Sequence, residues 1–407
     1  MNTELFIIRR IAFTKGRSFS RFIIRVAVAA VALSVTVMII AGSMVTGFQK
    51  DISEKIYGFW GHIHIQKYEE PSSYEDIPIS INQSFYPNYK NIPGVNHIQV
   101  YARIPGIIKT DSDIEGIILK GVGKDFDWRF FNQYMVEGSV IHAGDSSDYR
   151  KIIISQTTAD RLRLKLGGKV RLFFIKENQQ VGRVFNIAGI YKTGLLEYDK
   201  IFALVDIAQI QRLNGWTPDQ VGGFEVFIND PAKIDALGKT INEDYVGREL
   251  RALTIKEVYP NIFDWLNLQS TNERVILILM TAVAAINMIT ALLILILERT
   301  NMIGILKSLG ATNWSIRKIF LMFAGYIITL GLIWGNAVGI GLCLIQKYFH
   351  VIRLPEESYY ISVAPINLDP LFIVVVNAAT LVICLLVLII PSYLITRIQP
   401  VKAIRFN

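Results

Sequence analysis

Four long uncharged apolar runs divide the chain, at 26–48, 275–297, 319–346 and 371–396. Each has at least the roughly 20 residues that a helix needs to cross about 30 Å of hydrocarbon at about 1.5 Å per residue. The first run is too long for the apolar core of a signal peptide, and no small-residue cleavage pattern follows it. The pattern therefore predicts four transmembrane helices, the first of which stays as an anchor.

Between residues 51 and 274 the pattern changes to short β-rich stretches separated by turn residues. The predicted strands include 62–66, 152–155, 170–175, 184–190 and 224–228. Predicted helices interrupt them at 157–166, closed by Gly167 and Gly168, and at 207–213, closed by Asn214 and Gly215. This predicts a large α+β domain, with one lobe or two, inserted between membrane helices 1 and 2.

Basic residues set the predicted orientation. They precede the first span, lie between the second and third, and follow the fourth, whereas the loop at 347–370 has two basic and three acidic residues. By the positive-inside rule, both termini and the loop at 298–318 are cytoplasmic. The net charge of +8 is then a topology signal plus attraction to anionic lipid, and nucleic acid need not be invoked.

The predicted segments follow from these boundaries. They are an interfacial lead-in helix at 1–21, spans at 22–48, 274–297, 319–346 and 371–396, the outer domain with helical stalks at 49–273, the cytoplasmic loop at 298–318, a short outer loop at 347–370 and a cytoplasmic tail at 397–407. The prediction of stalks is based on Phe48, Ile52 and Ile56, which recur at i, i+4 and i+8, and on the helical pattern of 262–269. They would carry movement into the outer domain; surface helices that merely flank this domain are the alternative.

The cytoplasmic segment 298–311 predicts a short helix ended by Gly310, with a restart near Thr312. On such a helix Ile303, Leu306 and Leu309 are expected to face the cytosol unless something covers them. A docked partner and a helix lying flat on the bilayer both explain this pattern.

This segment resembles the cytoplasmic segment of the MacB/FtsX-type ABC transporter permeases, in which a helix after the second span docks onto a nucleotide-binding subunit. More narrowly, the chain resembles the LolC/LolE lipoprotein-releasing permeases. The narrower likeness is carried by Arg9 and Arg10, Gly47 and Phe48, the stretch 194–200 with Glu197, Tyr198 and Asp199, and the stretch 354–361 leading to Pro365. The terminal stretch 399–405 is typical of the wider superfamily.

The resemblance implies a type VII, MacB-like architecture and a non-catalytic permease subunit of an ATP-driven complex that releases lipoproteins from the bacterial inner membrane, with the large domain in the periplasm. Implied partners are a cytoplasmic ABC ATPase dimer, a second permease subunit, identical or homologous, the lipoprotein and membrane lipid. ATP and Mg belong to the ATPase, and no cofactor is expected on this chain. The residues implied to couple to the ATPase are Glu298, Arg299, Ile303, Gly304, Ile305, Leu306, Lys307, Leu309 and Gly310.

Two alternatives share this segment: a MacB-like efflux or signalling permease, and an FtsX-like regulator of a cell-wall hydrolase. The chain also departs from the family pattern twice. Met302 stands where the wider family usually has an acidic residue, which puts one ion pair to the ATPase in doubt. A hairpin loop that recruits a soluble periplasmic carrier in LolC-like relatives corresponds to the short stretch 176–183, so carrier docking is left open.

A cavity between the first and second spans of paired permeases is expected to hold the lipid anchor. Its predicted lining lies on one face of each span, although the same faces could pack on other helices: Ile40, Met44, Phe48, Ile276, Met280 and Ala284.

Small and polar residues inside the spans predict close helix contacts. Gly331, Gly335 and Gly339 repeat every four residues, which favours packing either within the bundle or across a dimer. Asn287, Asn336 and Asn377 are expected to face protein rather than lipid.

Several other features point to no chemistry. Gly238, Lys239 and Thr240 match the end of a P-loop, but Lys233 occupies the required earlier glycine position, so a turn without a nucleotide site is expected. His62 and His64 alternate along a predicted strand without a further ligand nearby, so no metal site and no catalytic residue are predicted.

Overall fold

The computed structural model describes residues 19–68, 75–110, 113–145, 147–176 and 179–397. The predicted lead-in helix, apart from its last residues, and the terminal stretch 399–405 lie outside these ranges, as do Arg9 and Arg10. Within them, the chain forms two compact units. One comprises the described parts of Met1–Lys50, Trp265–Arg353 and Val363–Asn407, and the other comprises the described parts of Asp51–Asp264 and Leu354–Ser362.

The α-helices are α1 (Phe19–Trp60), α2 (Arg129–Tyr134), α3 (Gln156–Leu162), α4 (Leu196–Asp199), α5 (Ile207–Asn214), α6 (Ile234–Thr240), α7 (Ile255–Val258), α8 (Pro260–Glu298), α9 (Thr300–Ser308), α10 (Asn313–Phe349), α11 (Glu356–Tyr359), α12 (Pro370–Ser392) and α13 (Leu394–Arg397). The strands are β1 (Ile63–Lys67), β2 (Ile79–Ser80), β3 (Val95–Lys109), β4 (Ile114–Val122), β5 (Met135–Gly138), β6 (Lys151–Ser155), β7 (Lys169–Lys176), β8 (Gln179–Tyr191), β9 (Phe202–Asp206), β10 (Gln220–Val221), β11 (Gly223–Ile228) and β12 (Leu250–Thr254).

Four helices are long and apolar enough to cross a membrane, and they include the four apolar runs: α1, α8, α10, and the stretch Pro370–Thr396 that contains α12. Both α1 and α8 continue well beyond their apolar runs, as the periodicity at Phe48, Ile52 and Ile56 predicts. Near the end of the fourth run, α12 stops one residue after Pro391, because proline removes a backbone hydrogen bond. The prediction of four long apolar helices is confirmed.

The four long helices share one apolar core. It contains Val31 and Val35 of α1, Met288 of α8, Phe323 of α10 and Leu388 of α12, all almost fully buried. The outward-facing residues of the same helices are also apolar, such as Ile278, with 68% of its surface exposed. Helices that are apolar on both faces belong in lipid, since lipid and the bundle interior solvate them equally well.

The second unit is built on a mixed β-sheet. Within the described residues, ten strands form this sheet in the order β12-β1-β11-β3-β4-β9-β6-β8-β5, with β7 paired to β3 and β8, while β2 and β10 form a separate pair. The pairs β4–β9 and β6–β8 are parallel, and the other pairs are antiparallel. Its core includes Ile104, Leu119, Phe174 and Ile187. The prediction of a large α+β domain is confirmed.

Two local predictions in this unit are wrong. The helix predicted to reach 166 ends at Leu162, because Arg163 adopts the left-handed conformation and ends it four residues before the predicted Gly167. The stretch Gly238, Lys239, Thr240 is the end of α6 and not a turn. A Cβ on Gly238 would lie 2.7 Å from Thr254 Cγ2, so the glycine serves close packing of this helix on the sheet.

Candidate functional sites

Helix α9, called the coupling helix below after the role predicted for it, is a separate short element, because α8 continues to Glu298 and Arg299 lies between the two helices. Its end is a Schellman motif: the Ala311 N–H donates to Leu306 O at 2.9 Å, the Gly310 N–H donates to Lys307 O at 3.0 Å, and Gly310 has a φ of +90°. The next helix begins where Thr312 accepts a hydrogen bond from Ser315 N. The predicted stop and restart are confirmed.

The coupling helix has a buried and an exposed face. Ile303 is fully buried in the bundle core, Gly304 is buried, and Leu306 packs against the same core. Ile303 was expected to face the cytosol unless something covered it, and the cover is the bundle of the same chain rather than a partner. Ile305 and Leu309, one turn apart, remain 52% and 79% exposed. These two side chains are the large apolar residues that the described part of this helix leaves open.

Lys307 ties the coupling helix to the end of the fourth span. Its Nζ donates to Ile395 O at 2.7 Å, in α13, and burial lowers its pKa. Beside this contact, the Arg317 guanidinium lies 3.8 Å from the Tyr393 ring centroid, and its Nε donates to Ser392 Oγ at 3.1 Å. These contacts join the short helix α9 and the start of the third long helix to the end of the fourth.

One exposed side chain near the coupling helix escaped the sequence reasoning. Trp314, in the first turn of α10, is 62% exposed. Its proximity in sequence to Leu309, and the rarity of a largely exposed tryptophan, are the signals that could have identified it.

The six residues predicted to line a lipid cavity do not form one open face. Ala284 is fully buried and Phe48 is 8% exposed, while Ile40 and Met280 are half-buried against the bundle core. Met44 and Ile276 are also half-buried. The reason is that α1 and α8 pack on each other, as the Thr281 hydroxyl near Met38 Sδ at 3.6 Å illustrates.

Open space instead lies on either side of α8. A groove of about 480 Å³ separates it from α12, with Ile278 on its wall, and one of about 290 Å³ separates it from α1, with Asn287 on its wall.

The three glycines of the third span pack within the bundle. Cβ atoms on Gly331 and Gly335 would lie 2.7 Å and 2.8 Å from Val31 Cβ and Val35 Cβ of α1, and one on Gly339 would lie 3.3 Å from Ile39 Cβ. The Thr36 hydroxyl donates to Gly335 O at 3.1 Å across the same contact. Of the two predicted roles, packing inside one chain is the one observed.

The stretches that carry the narrower resemblance are brought together in space. A Cβ on Gly47 would lie 2.6 Å from Pro365 O, so only glycine lets the first span approach the loop that follows the third span. Asn367 N also donates to Ser43 O at 2.9 Å.

A second meeting point lies in the β-rich unit, between 192–199 and the outer loop 354–362. Lys55 Nζ donates to Thr193 O at 2.7 Å and to Tyr360 O at 3.1 Å. The ammonium of Lys192 lies 2.9 Å from the Glu356 carboxylate. We call this group of contacts the outer-loop junction. The sequence had pointed to the two stretches but not to the two lysines.

Gly194 and Asp199 hold the outer-loop junction in shape. Gly194 has a φ of +79°, and a Cβ there would lie 3.0 Å from Lys55 Nζ. The buried Asp199 carboxylate accepts hydrogen bonds from the Thr193 hydroxyl at 2.6 Å and from Gly194 N at 3.1 Å. Burial nevertheless raises the pKa of Asp199 to about 6.

A buried charged cluster sits at the end of α1. Lys120 Nζ donates to Phe59 O at 2.6 Å, a carbonyl at the helix C-terminus, and lies 2.7 Å from Glu225 Oε1. Gln99 Nε2 donates to the other Glu225 oxygen at 2.8 Å. The cation also lies 4.7 Å from the Trp60 ring centroid. This cluster fixes the end of the first helix to strands β4, β11 and β3.

The two histidines singled out by sequence flank this cluster. His64 Nε2 lies 2.8 Å from Trp60 O. Burial lowers the pKa of His62 to about 4 and that of His64 to about 3, so both rings are neutral at neutral pH.

Comparison with known families accounts for most of the chain. The family described as MacB-like periplasmic core domain matches residues 26–244, and the family described as FtsX-like permease C-terminal matches residues 274–400.

Two relatives match over almost their whole length. The lipoprotein-releasing system transmembrane protein LolC of Neisseria meningitidis is 24% identical over 98% of both chains. LolE of Haemophilus influenzae is 23% identical over 99% of both chains. Among solved structures, the periplasmic region of MacB from Actinobacillus actinomycetemcomitans covers 49% of this chain and 92% of its own, with 12% identity and a TM-score of 0.34. The extracellular domain of YknZ covers 47% of this chain and 98% of its own, with 16% identity and a TM-score of 0.31.

Proposed function

The chain belongs to the MacB-like periplasmic core domain family, and from this membership we propose that it is the permease subunit of an ATP-driven complex that releases lipoproteins from the bacterial inner membrane. Similarity to LolC and LolE over nearly the full length supports the substrate class. In this proposal both termini are cytoplasmic, and the α+β domain, inserted between α1 and α8, is periplasmic.

The observation that carries the proposal is the two-faced coupling helix. Ile303 is fully buried in the bundle, whereas Ile305 and Leu309 remain largely exposed. A partner that covers the exposed face can therefore move the bundle through the buried one. A cytoplasmic ABC ATPase dimer is the proposed partner, and it supplies ATP binding, Mg and hydrolysis, while this chain is non-catalytic.

The proposed path of motion starts at the coupling helix and reaches the outer domain. Lys307 passes movement to the end of the fourth span through Ile395 O. The continuous helix α1 passes it outward to the Lys120 cluster and to Lys55 in the outer-loop junction. Because helices are stiff rods, this arrangement supports transmission of ATPase closure over the length of α1.

The work required explains why ATP is needed. Removing each CH₂ of an acyl chain from the bilayer costs about 0.8 kcal/mol, so a lipoprotein anchor does not leave by diffusion. We propose that closure of two permeases squeezes the anchor from between their first and second spans. Ile40, Met44, Ile276 and Met280, which are half-buried, are placed in that path, while Ala284 and Phe48 serve packing within the chain.

Reconstitution tests the proposal. The full chain, its cognate ABC ATPase and a fluorescent triacylated lipoprotein are placed in proteoliposomes, and transfer of the fluorescent protein to the aqueous phase is followed after ATP addition. Release that requires ATP and is lost in Leu309→Asp supports the proposal. ATPase stimulation by the permease without any lipoprotein release contradicts it. ATP-dependent export of small substrates favours the efflux alternative, and a bound cell-wall hydrolase favours the regulatory one.

A further inference from the structure

One face of the third long helix, α10, is apolar and exposed as far as the last residue of the helix. Residues on this face recur every three or four positions, and each is at least 46% exposed: Trp334, Val338, Leu342, Ile345 and Phe349. A helix that is apolar on its outer face as well as its inner face meets lipid there. The lipid-facing surface of α10 therefore continues without a break to Phe349.

This surface extends further than the neighbouring fourth span. The paired amides of Asn336 and Asn377 fix the antiparallel register of α10 and α12. Leu342 and Leu371 each lie six residues from these amides in the same direction along the bundle, so they stand at about the same level. Phe349 follows Leu342 by seven residues, which places it about 10 Å further out at about 1.5 Å per residue.

The overhanging end of α10 reaches the headgroup layer of a bilayer. Leu371 lies in the first turn of α12, directly after the charged cap Asp369, so it marks the edge of the hydrocarbon at this end of the bundle. A headgroup layer of roughly 5–8 Å follows on each side of the hydrocarbon. Because helix side chains lean towards the N-terminus, the Phe349 ring points back into this layer.

After α10 the chain turns back along the helix. His350 ends α10 in the left-handed conformation, with a φ of +50°. Gln346, which is 6% exposed, accepts from Ile352 N at 2.8 Å and donates to Ile352 O at 3.1 Å. Its amide also donates to Ala364 O at 3.0 Å. Ile352 is thereby held beside Gln346, one turn before the end of the helix.

The turn exposes apolar side chains between two cations. Val351 and Ile352 are 67% and 50% exposed. Lys347 and Arg353, on either side of them in sequence, are exposed and have no ion-pair partner within the ranges that the structure describes. Aromatic and apolar side chains flanked by lysine and arginine are typical of membrane interfaces, because the apolar groups enter the acyl boundary while the cations meet lipid phosphates.

We propose that residues 348–352 form an interfacial anchor, which lies in the headgroup layer of the membrane at the end of the bundle opposite the coupling helix. The lipid that covers the apolar face of α10 also covers Phe349 and Val351, since the exposed surface is continuous. A protein partner on this turn would bury Lys347 and Arg353 without a counter-charge from this chain, which is costly. Lipid phosphates supply that charge.

The anchor goes beyond the proposed function and does not depend on it. It fixes the depth of the third span in the membrane. In the proposed topology this end of α10 is periplasmic, so the anchor also holds the start of the loop 354–362 at the membrane surface.

Nitroxide spin labels test the anchor in the full chain reconstituted into phospholipid vesicles. The native Cys343 and Cys384, both buried, are replaced by alanine, and each labelled variant is checked for helix content by circular dichroism. Labels are placed at Phe349→Cys and Val351→Cys. Collisions with oxygen, which concentrates in lipid, are compared with collisions with a water-soluble nickel chelate.

Two control positions calibrate the comparison. Val338→Cys, on the same face of α10, reports lipid, and Ile114→Cys, 66% exposed in the β-rich unit, reports water. The anchor requires an oxygen-to-nickel ratio at 349 and 351 that is several-fold above the ratio at 114 and below that at 338. A ratio equal to that at 114 overturns it, because the turn then faces water. Low collision with both reagents also overturns it, because a protein then covers the turn.

The part played by Gln346 is tested in the same vesicles. Gln346→Leu keeps most of the side-chain volume but neither donates nor accepts a hydrogen bond. The label at Val351→Cys should then become several-fold more accessible to nickel, while the label at Val338→Cys stays unchanged. Unchanged accessibility at 351 contradicts the hold that Gln346 has on the turn.

The anchor and the proposed function fail separately, because these measurements need neither an ATPase nor a lipoprotein. Labels at 349 and 351 that face water overturn the anchor and leave lipoprotein release standing. A lipid-seated turn in a chain that releases no lipoprotein overturns the proposed function alone.

Discussion

Lys120 and Glu225 form an ion pair in which both side chains are fully buried and the charged atoms lie 2.7 Å apart. Burial lowers the pKa of Lys120 and raises that of Glu225, while the attraction between them opposes both shifts. Lys120 of this pair also donates to the Phe59 carbonyl at the end of α1. The ion pair therefore helps to fix the first helix to the sheet.

Lys120→Met should destabilise the protein by about 3–5 kcal/mol, because it leaves Glu225 buried without its partner. The double variant Lys120→Met, Glu225→Gln should recover much of this loss. Unfolding of the full chain in detergent measures both. Lys239→Met, which removes an exposed pair with Glu243 at 3.8 Å, is the control and should change stability by less than about 1 kcal/mol. Equal effects of Lys120→Met and Lys239→Met would contradict the buried pair.

Ile305→Asp and Leu309→Asp should each weaken binding of the ABC ATPase by at least about tenfold, as expected for central apolar contacts. Asn313→Asp places the same charge on an exposed position outside this helix, at the start of α10, and is the control. Affinity measured with the purified full chain and ATPase decides the outcome. Ile303→Asp is unsuitable for this purpose, since it buries a charge in the bundle and should unfold it.

Gly335→Ala should destabilise the bundle by about 1–3 kcal/mol, the usual cost of overpacking. The added Cβ would lie 2.8 Å from Val35 Cβ and 2.9 Å from Ala32 O. Gly341→Ala, in the same helix with nothing within 4 Å of the added atom, should leave stability equal or raise it by about 0.5–1 kcal/mol. Thermal unfolding in one detergent compares the two, and similar melting temperatures for both variants would refute the close contact.

Gly194→Ala should lower the free energy of unfolding more than Gly215→Ala does. Both substitutions place alanine at a positive φ, of +79° and +68°. Both variants incur about 1–2 kcal/mol of backbone strain. The Cβ at 194 would also press on Lys55 Nζ at 3.0 Å, so the ammonium must shift slightly and its hydrogen bonds to two carbonyls weaken, whereas the Cβ at 215 meets nothing within 4 Å. Unfolding free energies give the difference, and a smaller loss at 194 than at 215 would count against the outer-loop junction.

The raised pKa of the Asp199 carboxyl should make the stability of the protein depend on pH. Burial raises its pKa from 3.8 to about 6 in the folded protein, so the unfolded chain releases this proton more readily. Its contribution to stability is fully present below pH 3.8 and is lost as pH rises through about 6. The free energy of unfolding of the wild type minus that of Asp199→Asn should therefore fall between about pH 4 and pH 6. A flat difference over this interval would show that the carboxyl is not buried in this way.

Much of the architecture was readable from the residues. Uncharged runs of more than 20 residues have one low-energy state in a membrane, so the four long helices followed directly. The stop at Gly310 and the restart at Thr312 were equally local, because a left-handed glycine and a side-chain cap act within a few residues. The narrower resemblance likewise pointed to 194–200 and 354–361 as notable stretches.

Local reasoning failed where distant residues decide. Ile303 was expected to face the cytosol unless something covered it, and the bundle of the same chain buries it. Periodicity indicates that a helix has an apolar face, but it does not state which neighbour covers that face.

The sequence by itself therefore determined the four long apolar helices, the α+β character of the large domain, and the two-part form of the segment 298–318. Each of these depends on patterns within a few turns of chain. Only the tertiary structure decided that Gly335 packs on Val35, that Lys55 binds Tyr360 O, and that Asn336 pairs with Asn377. These contacts join residues 41 to 305 positions apart, and their energies depend on burial that exists only in the folded chain.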